Sequence, residues 1–264
     1  MKLTACWSSM STKPALRYGV LLALVTVSLT TCSFAAALQT AKMPESLQVP
    51  EGFASKDNWN GSPMTPLEFT LDDQIHTQTE ISVSNMVSKH TSSVGAVGFA
   101  IRRPGWVLCR EEGQQLSQLS AAHPSIFEDF GIFGMVKEIN VDDAGLLEFH
   151  KKYFPHDIYL DASQQFYKTL GSRKITTLRT WNPLRLWRGY QDMKERITRK
   201  NLEGNLIGEG IIQGGIVIFD RHGDPRAVYQ EQIGNEIPEE SILQALKALQ
   251  EEYKQTSDGA SAEL

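Results

Sequence analysis

Residues 96–102 read AVGFAIR, six small or apolar residues in succession and then a cation. The run is far too short to cross a membrane, and it lacks the alternation of a half-exposed strand. It reads as a strand buried on both faces. Pro104-Gly105 breaks it at once. From Val107 the apolar Leu108, Leu116 and Leu119, among polar neighbours, fit an amphipathic helix to about Ala122, stopped before Pro124. A buried strand feeding directly into such a helix confines the chain to layered α/β folds.

The alternation recurs. Residues 130–139 predict a strand, 143–154 a helix ended by Pro155, and 157–160 a short strand. Residues 210–220 predict a further strand whose glycines permit close backbone approach. Residues 221–225, RHGDP, form a turn, and RAVYQEQ returns antiparallel. A helix then begins at Pro238 with Glu239 and Glu240 in its first turn, and Ile242, Leu243, Leu246 and Leu249 form its buried stripe. Residues 80–91 predict one more short helix. The order βαβα, then ββα after an insertion, predicts a mixed central sheet flanked by helices, with a thioredoxin-like layout as the natural candidate.

The folded region is expected over 80–254, followed by a solvated, disordered tail at 255–264. Residues 42–79 carry Pro44, Pro50, Gly52, Gly61, Pro63 and Pro66 and read as a linker. Residues 1–41 hold Lys2, Lys13 and Arg17 and no acid, followed by an apolar run at 19–38 in which Ala35 and Ala37 match a cleavage pattern. This fits a cleaved signal peptide, a retained membrane anchor, or a transit peptide to a plastid or mitochondrion. The net charge of −5 gives no reason to expect nucleic acid as a partner.

The insertion before the late hairpin is basic. It carries Arg173, Lys174, Arg179, Arg185, Arg188, Lys194, Arg196, Arg199 and Lys200, interleaved with Leu178, Trp181, Leu184, Leu186, Trp187 and Tyr190. The plain expectation is a helix that packs its Trp and Leu residues on the core and solvates its arginines. The alternative is contact with an acidic membrane surface through 173–200.

The chemistry centres on Cys109. Cys6 and Cys32 lie in the N-terminal segment, so a mature domain has no other cysteine. An unperturbed thiol, with a pKa of about 8.5, is only slightly ionised at neutral pH. Cys109 sits in the first turn of the helix, where unpaired N–H groups favour an anion. Arg102, Arg103 and Arg110 add candidate thiolate or peroxide stabilisers, while Glu111 and Glu112 oppose them and read as helix-start residues. A single cysteine in apolar surroundings is also often only a small buried residue. Metal and cofactor sites are not expected. The six histidines lack ligand spacing, and GEGIIQG precedes a strand where a dinucleotide loop would follow one. Its glycines are expected to pack closely under the Cys109 loop. Asp142, Asp143 and Asp161 read as caps and turns.

Three blocks carry a resemblance: AVGFAIRRPGWVLCREEGQQLSQL, then VKEI with FHKKYFPHDIYLDASQQFYKTLGSRK, then NLEGNLIGEGIIQGGIVIF. In order and content they resemble the peroxiredoxin-like 2 family of the AhpC/TSA group, which includes selenoprotein U-type proteins and prostamide/prostaglandin F synthase. The resemblance covers about residues 84–254. It implies a thioredoxin-like fold and thiol-based reduction of a peroxide or small disulfide, with an external reductant such as thioredoxin or glutathione.

The departures are specific. Where the family has two cysteines, or selenocysteine and cysteine, separated by two residues, this chain has Trp106-Val107-Leu108-Cys109. The first attacking thiol is therefore replaced by Trp106. In the peroxiredoxin pattern the same position holds a threonine, so that group is lost too. The arginine that peroxiredoxins place before their late strand would fall near Gln213 or Gly214, and Arg102 or Arg103 is the candidate substitute. Three functions stand: a one-cysteine thiol redox protein, a redox-inactive binding module walled by Trp106, and a prostaglandin-endoperoxide reductase, which the missing first cysteine opposes.

Overall fold

The computed structural model describes residues 42–172 and 183–262. The expectations for 1–41 and for 173–182 lie outside the described residues. Among the described residues, no helix is long and apolar enough to cross a membrane.

The core unit follows the pattern read from the sequence. Strand β4 (Gly95–Ala100) leads into helix α3 (Val107–Ala122), then the short α4 (Pro124–Phe127), β5 (Phe130–Val136), α5 (Asp143–Lys152) and β6 (Asp157–Leu160). After α6 (Gln165–Thr169) and the insertion helix α7 (Pro183–Arg199) come the hairpin β7 (Gly215–Asp220) and β8 (Pro225–Gln230), then α8 (Glu239–Ala262). β4 is central: it pairs in parallel with β5 and antiparallel with β7. β5 and β6 are parallel, and β7 and β8 antiparallel. This is the mixed, thioredoxin-like sheet expected, with α3 springing from its central strand.

Burial follows the period of two along β4. Val97, Phe99 and Ile101 face one core with Leu116, Leu119, Phe149, Phe154, Ile242, Leu246 and Leu249. Ala96 and Ala100 face the other, with Phe133, Met135, Tyr159, Phe166, Tyr167 and Phe219. Gly98 shares that second face because a Cβ there would come within 2.9 Å of the Phe133 ring. Helix starts are capped as the sequence suggests: Asp142 accepts from Gly145 N–H at 3.1 Å, and Asp161 accepts from Phe166 N–H at 2.8 Å.

Three expectations need correction. Residues 42–79 are not a linker. They form α1 (Glu51–Ala54), a 3-10 turn (Lys56–Asn58), β1 (Pro63–Phe69) and β2 (Ile75–Thr77). β1 pairs antiparallel with β6 and with β2, and the following β3 (Ile81–Ser82) also pairs with β1 ahead of helix α2 (Val83–His90). Phe53, Trp59 and Met64 are buried in the second core. Their apolar payload outweighs the turn-rich composition that suggested a linker. The C-terminal boundary also moves, because α8 continues to Ala262 in place of a tail from 255.

The third correction concerns α7. Leu184, Trp187 and Tyr190 are exposed, at 66%, 61% and 56%. Arg196, expected in solvent, turns inward and grips Glu111 on α3 with two hydrogen bonds, 2.8 Å from Nε to Oε1 and 3.0 Å from Nη2 to Oε2. Lys200 adds a 2.7 Å bond to the same carboxylate and another to Glu236. Glu111 is buried, so its charge needs partners, and the insertion supplies them.

Candidate redox site

Cys109, Glu112, Leu116 and Leu119 recur at spacings of three and four, on the stripe that α3 buries. The thiol is therefore placed inward by the helical period itself and is 0% exposed. Burial pushes its pKa far above the ordinary thiol value. The carboxylates of Glu231 and Glu112 add to the rise, and the Arg102 charge and the Arg103 backbone amide offset only part of it. The dipole and open N–H groups at the start of α3 do not overcome that cost.

Arg102 leaves the end of β4 buried. Its Nη2 lies 3.1 Å from Glu231 Oε1 in an ion pair with both side chains almost fully enclosed. Its Nη1 donates to the Gly210 carbonyl at 3.4 Å. The guanidinium lies 3.6 Å from the centre of the Trp106 ring, a close cation–π contact. Glu231 in turn accepts from Gly214 N–H at 2.9 Å, which ties the pair to the start of β7. Burial, with the neighbouring Glu231 adding to it, raises the Glu112 pKa well above the ordinary carboxylate value.

Further buried polar groups underlie the site. Tyr167 Oη lies 2.8 Å from both the Ile101 and Met135 carbonyl oxygens, sharing its proton between the ends of β4 and β5. Burial first, then the nearby carboxylate of Asp161, raises its pKa, so it stays a donor. Lys137 pairs with Glu209 and donates to the Ile212 carbonyl at 3.1 Å. Burial lowers the Lys137 pKa against the pull of Glu209.

The arginines therefore separate. Arg102 belongs to the thiol's surroundings. Arg103 reaches the thiol through its backbone, and its guanidinium packs where a Cβ on Gly210 would stand, the close packing expected of that glycine-rich stretch. Arg110 is corrected: it turns from the thiol to bond the Glu203 carbonyl at 2.8 Å and Glu148 at 2.7 Å, because position 110 is one step round the helix from 109. Trp106 precedes the first turn of α3 and provides no side-chain cap. With Arg102, Arg103, Leu206, Gly210 and Ile233 it lines a recess of about 290 Å³. Cys109 is not among the residues lining this recess and is sealed from solvent.

Glu231, Lys137 and Tyr167 were not singled out by sequence, and Glu112 was read only as a helix-start residue opposing the arginines. Glu231 sits 122 residues from Cys109 in an unremarkable QEQ, and only strand pairing brings it near. Among the described residues, no three His, Cys, Asp or Glu side chains converge as a metal site.

A thioredoxin-like sheet with a cysteine in the first turn of the helix after its central strand defines a thiol-redox class of fold. Comparison with known proteins gives that class a family. The model of the "AhpC/TSA antioxidant enzyme" family matches residues 116–232, beginning seven positions beyond Cys109. Over 149 residues the chain is 32% identical to prostamide/prostaglandin F synthase of Sus scrofa, covering 55% of this chain and 70% of that protein. It is 34% identical over 163 residues to peroxiredoxin-like 2A of Danio rerio, covering 58% and 68%. The chain belongs to the peroxiredoxin-like 2 family of the AhpC/TSA group. Membership supports a redox or antioxidant type of function. Solved structures with similarity include the reduced 2-Cys peroxiredoxin of Plasmodium vivax, with a TM-score of 0.45, 11% identity, and coverage of 75% of this chain and 84% of that one. AhpC of Mycobacterium tuberculosis gives a TM-score of 0.42 at 14% identity, covering 71% and 92%.

Proposed function

We propose that the chain is a peroxiredoxin-like redox protein whose single site cysteine, Cys109, is held closed at rest and reacts only when the turn carrying Trp106 opens. The observation that carries this reading is the placement of Cys109: first turn of α3, next to the central strand, beside the Arg102 charge, yet wholly buried. Opening lets the thiol lose its proton to water. The thiolate sulfur then attacks a peroxide oxygen, the O–O bond breaks, and the leaving alkoxide takes a proton to become an alcohol. The resulting sulfenic acid is returned to thiol by two equivalents of external thiol, which leave as a disulfide and water. The synthase activity named for the relatives is not carried over, because Trp106 can neither attack nor form a disulfide.

The raised Cys109 pKa favours a second reading, in which the fold is kept as a redox-silent binding module and Trp106 walls the old site. Intact-mass spectrometry after stoichiometric peroxide, on the native protein and on Trp106→Ala, separates the two. The first reading expects addition of one oxygen at Cys109, faster in Trp106→Ala than in a free cysteine peptide. A rate no faster than the free peptide in both proteins rejects it and leaves the second.

A further inference from the structure

Helix α7 carries an apolar stripe longer than the body that supports it. Towards its C-terminal end, Ile197 packs on the first core and Met193 Sδ lies against the Gly234 position, with Arg196 bonded to the Gly234 carbonyl at 2.9 Å. One and two turns earlier the same stripe continues as Tyr190 and Trp187, and there it is exposed. The salt bridges of Arg196 and Lys200 fix one end of the helix to α3, and the aromatic end overhangs. Leu206, Ile207, Ile211 and Ile233 are also exposed, Ile233 beside the Gly234 that α7 contacts, and Leu206 and Ile233 line the recess at Trp106.

The charge on this helix runs against that of the molecule. The chain as a whole carries −5, while α7 has five basic and two acidic residues, a net +3. Arg188, Lys194 and Arg199 are exposed beside the aromatic stripe. Tryptophan and tyrosine flanked by cations, on a strongly amphipathic helix, match the boundary between phospholipid headgroups and acyl chains. A second copy docked through the same face would bring +3 against +3. An anionic bilayer instead meets the cations with lipid charge and the aromatics with its interfacial layer.

We propose that α7 is a docking helix for an anionic phospholipid surface, with Trp187 and Tyr190 inserted at the interface and Arg188 and Lys194 on the headgroups. The proposal is independent of the reading of Cys109.

The test uses the full chain and reads Trp187 itself, so that binding by the apolar run at 19–38 does not answer for α7. Tryptophan quenching by bromine-labelled acyl chains is compared between the native protein and Trp187→Phe, on phosphatidylserine-containing and on pure phosphatidylcholine vesicles. The expected result is a quenched component on anionic vesicles that Trp187→Phe lacks and 0.5 M salt diminishes. The Arg188→Glu/Lys194→Glu protein, checked for an unchanged circular dichroism spectrum, should need about tenfold more anionic lipid for the same quenching. A Trp187 component that anionic vesicles do not quench overturns the proposal. So does Trp187 protection that rises with protein concentration in the absence of lipid, which would mean a second copy covers the face.

Discussion

The guanidinium of Arg102 lies 3.6 Å from the ring centre of Trp106, and both line the recess, while Cys109, which feels the Arg102 charge, is wholly buried. Arg102 is also held in the buried ion pair with Glu231, while Trp106 is half-buried beside the recess. Each half can be tested separately.

Trp106→Ala removes the cation–π contact, worth about 0.5–2 kcal/mol, and opens the route to the thiol. Alkylation of Cys109 by iodoacetamide should accelerate at least tenfold over the native protein, while urea unfolding moves only modestly. In the native protein the rate should stay below that of a free cysteine peptide near neutral pH, since burial raises the thiol pKa. Equal rates in the two proteins would remove Trp106 from the closure.

Glu231→Gln leaves the Arg102 charge enclosed without its counter-ion. Breaking a buried pair from one side costs roughly 3–5 kcal/mol, so the urea midpoint should fall sharply. The double variant Arg102→Met/Glu231→Leu should recover much of that loss, because the uncompensated charge is gone. A single variant as stable as the native protein would contradict the enclosure of the pair.

Glu111→Ala takes away the carboxylate that holds both Arg196 and Lys200. The expected outcome is local: faster hydrogen exchange and trypsin cleavage within α7, with β4 and β5 amides still protected. Uniform loss of protection would mean that α7 is integral to the core.

Acid sensitivity should pass through His90. Burial lowers its pKa to about 4, against the pull of Asp157, and its Nε2 lies 2.8 Å from Tyr159 Oη. The unfolded chain binds a proton near pH 6.5 that the folded chain accepts only near 4. The stability this contributes is present above pH 6.5 and is lost as pH falls towards 4. With solvent screening at the ring edge it amounts to about 1–2 kcal/mol. His150 and His156 are lowered in the same direction, also mainly by burial. His90→Asn should therefore flatten part of the slope of unfolding free energy between pH 7 and 4.5. An unchanged slope would exclude His90 as a source.

The core alternation was legible because β4, β5 and β7 are apolar runs bounded by glycine, proline and charge, and each is followed by its own turn or helix. β1 was not. Its sequence PMTPLEF holds two prolines, which argue against a strand. They fit here because Pro66 takes the Gln78 amide on its carbonyl and needs no N–H in return. At the site, the position of Cys109 and the weight of Trp106 could be read from the sequence. The enclosure of Glu111 and Glu112 could not. Two glutamates at a helix start look like caps, and only the fold turns one into an anchor for Arg196 and Lys200 and encloses the other near Glu231.

The N-terminal residues now carry a different meaning. Lys42 and Leu47 touch α8 and β8 through the Gln244 side chain and the Val228 amide, Phe53 and Trp59 lie beneath the sheet, and β1 closes the far side against β6. The segment is a belt fastened at both ends of the sheet. Trimming it from the front would unlace the two margins together, so the loss of these few residues should be felt across the whole sheet and not at one edge of it.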